Sequence, residues 1–277
     1  MEASPLPTQI NLRVVDPDVP SARPEAAPAP VRNRRERPPT AARGPVRPLR
    51  YRWYPACKSF LDRTLALLLS IVALPVIAVA ALLVKLTSAG PAFYSQVRVG
   101  RRGRLFTIWK IRTMIHNCES LTGPRWSIPG DPRVTAVGWL LRRTHLDELP
   151  QLWNVLRGDM SLIGPRPERP EFVPELEQAI PAYAQRLQLK PGVTGLAQVQ
   201  LPPDTDIASV RRKLASDLYY IEQLGPWMDV RVLACTALYA VGLPTRGLAR
   251  LLGLPDAAAV QQAMREVVEP ARPRQAA

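Results

Sequence analysis

The 277-residue chain is 47% apolar, which excludes a wholly disordered protein, and it is long enough for one sizeable domain or two small ones. A formal net charge of +14 and a pI near 10.5 imply an anionic partner: nucleic acid, an acidic membrane surface or a phosphorylated small molecule. Three cysteines with no CxxC spacing and only two histidines argue against a disulfide framework or a zinc site and suit a reducing compartment. Any metal would then be a hard cation held by carboxylate and phosphate oxygens, which favours magnesium.

The first fifty residues hold eleven prolines, nine arginines and one glycine, with no periodic hydrophobicity. Such a composition cannot offset the entropy of ordering, so residues 1–50 read as a disordered Pro/Arg-rich arm. Its basic half, VRNRRERPPTAARGPVRPLR, suits either nucleic acid or anionic lipid, or a plain solvated tail.

From Thr64 to Val84 the stretch TLALLLSIVALPVIAVAALLV carries no charge. Its 21 residues make a helix of about 32 Å at ~1.5 Å per residue, enough to cross a bilayer. Pro75 stands near the middle, where it removes a backbone hydrogen bond and bends or breaks a helix. Cations flank both ends: Arg47, Arg50, Arg52, Lys58 and Arg63 before, Lys85, Arg98, Arg101, Arg102 and Arg104 after. A spanning helix concentrates cations on its cytoplasmic side, so the balance predicts a re-entrant helix over 60–86 that enters and leaves by one face. A single span and a buried soluble helix are the alternatives. The apolar stretch from Val232 to Leu243 is too short to span and suits an interfacial or core helix.

AFYSQVRV and LFTIWKIR, separated by GRRGR, predict a β-hairpin. Period-two alternation places Phe106, Ile108, Lys110 and Arg112 on one face, where the two cations are either solvated or phosphate contacts. RVTAVGWLLRR has helical spacing. LDELPQLWNVLRG predicts a second helix, with Pro150 in the first turn and Gly158 at the C-terminal stop. Asp147 and Glu148 then lie at a helix start, where free N–H groups favour anions. Arg142 lies five residues before Asp147, and Arg166 sits between two prolines, a guanidinium fork on a stiff loop suited to bidentate phosphate binding. By themselves, adjacent carboxylates at a helix start are more often a cap than a catalytic dyad.

Together these stretches resemble the bacterial sugar transferase family, the monotopic polyprenyl-phosphate phosphoglycosyl transferases. The resemblance runs from about Lys58 to Tyr220 through KSFLDRTLALLL, GPAFYSQVRVGRRGRLFTIWKIRTM, LRRTHLDELPQLWNVLRGDMSLIGPRPERPEF, KPGVTGLAQV and LASDLYYIE. It implies an α+β, predominantly helical, monotopic membrane protein with a proline-broken re-entrant helix, a β-hairpin and interfacial helices. The transferase domain would occupy 51–245 and a helical or flexible tail 246–277. It further implies Asp147 as nucleophile, Glu148 as its partner in the dyad, and Arg142 and Arg166 as phosphate ligands, with Lys110 and Arg112 as further substrate contacts. Mg2+ would sit at Asp147 and Glu148. The implied reaction transfers a sugar 1-phosphate from a UDP-sugar to undecaprenyl phosphate at the cytoplasmic face of the bacterial inner membrane, in surface or exopolysaccharide assembly. Membrane lipids and a second copy of the chain are the implied partners; nucleic acid is not. The family often has Lys-Arg near the start of the membrane helix and Ser-Pro at its break, whereas this chain has Lys58-Ser59 and Leu74-Pro75. The rival readings are a membrane-tethered basic binding protein and an inactive scaffold.

Overall fold

The computed structural model describes residues 51, 53–120, 123, 126–128, 130–180, 182–240, 242–243 and 245–269. The predicted arm over 1–50 and the last residues of the tail, 270–277, lie outside them.

Helix α1 (Tyr54–Thr87) runs without interruption through Pro75, so the expected break is not there and the helix begins earlier than 60. Its buried positions are Tyr54, Lys58, Asp62, Ala66, Ala73, Ala80 and Val84. That stripe recurs at intervals of four and seven, one helical face, and beyond Asp62 it is made of small residues that allow close packing. The large apolar side chains point outward instead: Leu67, Ile71, Val72, Leu74, Val79 and Leu82 are all exposed. In water this arrangement would be inverted, and it suits a helix whose solvent is lipid.

The hairpin forms as predicted. Strands β1 (Phe93–Val99) and β2 (Leu105–Ile111) pair antiparallel, with Tyr94 opposite Lys110 and Val99 opposite Leu105. The reversal between them uses Arg102 at φ 57° and Gly103 at φ 76°. Strand β2 ends at Ile111, so Arg112 leaves the face that carries Phe106, Ile108 and Lys110.

Helix α2 (Ala136–Arg143) is capped by the Thr135 hydroxyl, which accepts from the Gly138 N–H at 2.9 Å. A Cβ on Gly138 would lie 1.9 Å from the Thr113 carbonyl oxygen, so only glycine lets α2 press onto the chain after β2. The predicted second helix is split. Residues Leu146–Gln151 wind as a 3-10 turn, and only then does α3 (Leu152–Arg157) begin. Pro150 lacks the N–H that would bond to Leu146 and its ring crowds that carbonyl, which excludes an α-helical start and leaves the tighter winding. Gly158 ends α3 at φ 83°, as expected.

Strands β3 (Ser161–Ile163) and β4 (Gly192–Thr194) pair parallel, and the Pro165–Pro167 loop springs from the end of β3. Around them pack α4 (Val173–Ala179), α5 (Leu196–Gln200), α6 (Ile207–Glu222) and α7 (Pro226–Ala240). Helices α8 (Thr245–Leu251) and α9 (Ala257–Val268) close the described chain. Leu254, Met264 and Val268 belong to the same core as Leu214, Leu218 and Val232, and α9 packs against α6. The segment expected as a tail is therefore helical through 268 and built into the core.

A buried polar cluster ties α1 to this body. Asp229 of α7 accepts from Tyr54 Oη at 2.7 Å, Lys58 Nζ at 2.6 Å and Tyr220 Oη at 2.6 Å. Asp62 lies beside Lys58 and accepts from the Ser161 hydroxyl at 2.6 Å. At the far end of α1, Ala80 and Val84 pack with Ile111 and Leu141.

Candidate active site

The dyad is reached through a left-handed residue. His145, at φ 56°, turns the chain between α2 and the 3-10 segment, and its carbonyl accepts from the Glu148 N–H at 3.2 Å. That N–H is therefore not free for an anion, and the expected helix-start arrangement is replaced by a tight turn. With three residues per turn the two acidic side chains project about 120° apart. They meet different surroundings.

Glu148 is clamped. Lys110 Nζ donates to its Oε1 at 2.7 Å, and Arg166 donates to the same oxygen through Nη2 and to Oε2 through Nη1 at 3.2 Å. Burial alone would raise the Glu148 pKa, but Arg166 and Lys110 outweigh it and hold the carboxyl well below its usual range. Two of the expected phosphate contacts are thus brought together on a carboxylate.

Asp147 is buried and takes no hydrogen bond or ion pair from any described residue. Burial raises its pKa; Lys110 opposes the rise, Glu148 adds to it, and Arg142 and Arg166 also oppose it. It is a carboxylate under the field of three cations and bonded to none of them.

Arg142 stands on the other flank, its Nε donating to Thr113 Oγ1 at 2.8 Å and Nη1 to Ser127 Oγ at 3.3 Å. Arg112 is not brought to the dyad. It donates to the Ala89 and Ser88 carbonyls and to the Ser88 hydroxyl, satisfying the C-terminal end of α1. Its expected phosphate contact gives way to a helix-capping one because β2 ends one residue too soon.

Sequence reasoning missed Thr113, the Lys58–Asp62–Asp229 cluster and the residues that brace the Arg166 loop. A signal existed for the cluster: Lys58 and Asp62 are charged, one helical turn apart, at the threshold of an apolar run. Among the described residues no group of three or more His, Cys, Asp or Glu side chains converges as a metal site.

Chemically, the site offers an unbonded carboxylate on a tight turn, two cations already paired on Glu148, and an arginine, Arg142, without a carboxylate partner. This suits attack on a phosphorus atom whose oxygens are drawn by the arginines.

The profile of the bacterial sugar transferase family matches residues 53–242. The UDP-N-acetylgalactosamine-undecaprenyl-phosphate N-acetylgalactosaminephosphotransferase of Aeromonas hydrophila is 41% identical over 179 residues, 63% of this chain and 42% of that protein. The UDP-glucose:undecaprenyl-phosphate glucose-1-phosphate transferase of Caulobacter vibrioides is 44% identical over 181 residues, 65% of this chain and 67% of that protein. An exopolysaccharide production protein of Rhizobium leguminosarum bv. phaseoli is 40% identical over 169 residues, 59% of this chain and 84% of that protein. The chain thus spans well under half the length of the Aeromonas relative and about two thirds of the Caulobacter one. Every residue of the candidate site falls inside the matched region, and the chain belongs to the bacterial sugar transferase family.

Proposed function

We propose that the protein transfers a sugar 1-phosphate from a UDP-sugar to undecaprenyl phosphate and releases UMP, an initiating step of surface or exopolysaccharide assembly. One observation carries the reading: in a basic site Asp147 is held without a hydrogen-bond partner, while its neighbour Glu148 absorbs Lys110 and Arg166. A carboxylate needs no base to become a nucleophile once ionised. An Asp147 oxygen attacks the sugar-bearing phosphorus, the bond from that phosphorus to the bridging oxygen breaks, and UMP leaves with the electron pair. The phosphate oxygen of the lipid then attacks the same phosphorus, breaks the acyl phosphate and restores the Asp147 carboxylate. Arg142 and Arg166 draw the diphosphate oxygens, with Lys110 beside them.

Magnesium is commonly held by one or two carboxylates, with substrate phosphates and waters completing its shell. Asp147 fits that part, whereas both Glu148 oxygens are already held by cations. Mg2+ at Asp147 would supply charge neutralisation of the diphosphate. Glu148 acts on Lys110 and Arg166 instead, fixing both cations beside Asp147.

The membrane placement follows from α1. Its buried positions run from Tyr54 to Val84 against one body, which favours an anchor lying along that body over a free span. We read α1 as an anchor at the cytoplasmic face of the inner membrane, lying in plane where it stays unbroken and re-entrant only if Pro75 bends on insertion. Exposed Trp139, Leu140, Trp153 and Trp227 on the flanking helices suit the interfacial zone. A soluble nucleotide sugar and a lipid phosphate meet only at such a surface.

The test is an assay of the detergent-purified protein with a panel of UDP-sugars and undecaprenyl phosphate. UMP release that requires one UDP-sugar and the lipid for turnover is expected. Absence of UMP across the panel, with relatives of known activity turning over in parallel, would contradict the proposal.

A further inference from the structure

A Pro-Arg-Pro loop has one backbone N–H in three residues, so the loop can be tethered mainly through its carbonyls. Four consecutive carbonyls are tied. Pro165 O accepts from the Gly192 N–H at 2.9 Å, Arg166 O from Arg186 Nη2 at 2.8 Å, Pro167 O from Arg98 Nη1 at 3.4 Å, and Glu168 O from the Val99 N–H at 2.9 Å. The bond at Arg166 itself comes from a buried guanidinium. Arg186 is in turn fixed from two sides, its Nη1 donating to Tyr183 Oη at 2.8 Å and its Nη2 lying 2.7 Å from Asp217 Oδ2 on α6. Its Cζ also lies 5.1 Å from the centroid of the Tyr183 ring, a cation–π contact.

We infer that Arg186 is a positioning residue for the reaction: anchored by Asp217 and Tyr183, it grips the Arg166 carbonyl and so aims the Arg166 fork at the diphosphate of the UDP-sugar. The inference rests on the proposed role of Arg166 as a phosphate ligand. A buried cation on a main-chain carbonyl is stronger than a neutral donor, and Nη2 bonds the carbonyl while pairing in charge with the Asp217 carboxylate as Nη1 is held by Tyr183. A lysine would keep the charge beside Asp217 but serve only one of the two well.

The experiment compares wild type, Arg186→Lys, Arg166→Lys and the double variant in detergent, reading melting temperature, kcat, and KM for the UDP-sugar and for undecaprenyl phosphate. Arg186→Lys is expected to raise KM for the UDP-sugar about tenfold, since small misplacements of a binding group are costly. KM for the lipid and the melting temperature should stay near wild type, and the effect should largely vanish in the Arg166→Lys background because both changes act on one contact. Should Arg186→Lys fail to fold, Arg186→Gln/Asp217→Asn removes both buried charges and is read in the same way. An unchanged KM for the UDP-sugar, or the same fold-change in both backgrounds, overturns the inference. If Arg166→Lys alone leaves that KM unchanged, the phosphate role of Arg166 fails and the inference falls with it. If Arg166→Lys raises it and Arg186→Lys does not, only the positioning role fails.

Discussion

Asp147 and Glu148 share a peptide bond and little else. The tight turn sends one side chain to Lys110 and Arg166 and leaves the other without a partner, and on the proposed reading the first holds the machinery while the second attacks. Their electrostatics give a test by pH. Burial holds the Asp147 pKa above its ordinary value of 3.8, and a protonated carboxyl is no nucleophile. UMP release in the first half-reaction therefore falls as pH drops through that raised pKa. Glu148→Gln removes a negative neighbour that raises Asp147 and leaves Lys110, Arg142 and Arg166 to lower it, so the acid limb should move to lower pH. A limb that moves upward would show that Glu148 governs Asp147 in another way. The carboxylates could be singled out only through the run of motifs shared with the family, since alone adjacent carboxylates before a proline read as a helix cap. The partition of roles was not legible, since it depends on Lys110, 38 residues away, and on the winding that Pro150 imposes.

At the scale of elements, α1 is the piece that the rest is built against. Asp229 is the hub at its N-terminal end, neutralised by Lys58 and bonded by two tyrosine hydroxyls. Asp229→Ala would leave the Lys58 cation buried beside Asp62 alone, and removing one partner of such a pair typically costs about 3–5 kcal/mol. Thermal unfolding in detergent should show that loss, whereas Asp256→Ala, at an exposed surface pair, should shift stability by less than about 1 kcal/mol. Equal shifts would deny the hub its role. The hairpin and the long apolar helix could be read from pattern because glycine reversal, aromatic alternation and an uncharged run are properties of short stretches. The continuation of α1 through Pro75 could not, since a helix tolerates proline where the surroundings re-satisfy the freed carbonyl. Nor could the turn of Arg112 to Ser88 and Ala89, which was decided by where β2 stops.

At the scale of the molecule, an apolar helix buried along one face and bare along the other offers one side of the body to a membrane. If α1 is re-entrant, cysteines placed at Trp53 and at Arg102 in a Cys57→Ser background should both be labelled by an impermeant reagent from the cytoplasmic side alone. Labelling of either from the opposite side would show a span. The C-terminal helices belong to the same body, which composition did not reveal because Met264 and Val268 are spaced as in any amphipathic helix and their partners lie on α6. The placement of lipid-facing helix, paired cations and bare aspartate together makes one chemical claim, a covalent phosphosugar on the enzyme. Its direct measurement is mass spectrometry of the protein incubated with its UDP-sugar and no lipid acceptor. The account predicts a gain of one phosphosugar on the peptide bearing Asp147, up to one UMP released per site, and neither signal in Asp147→Asn; an adduct on Glu148, or turnover with lipid present and no adduct at any residue, would contradict it.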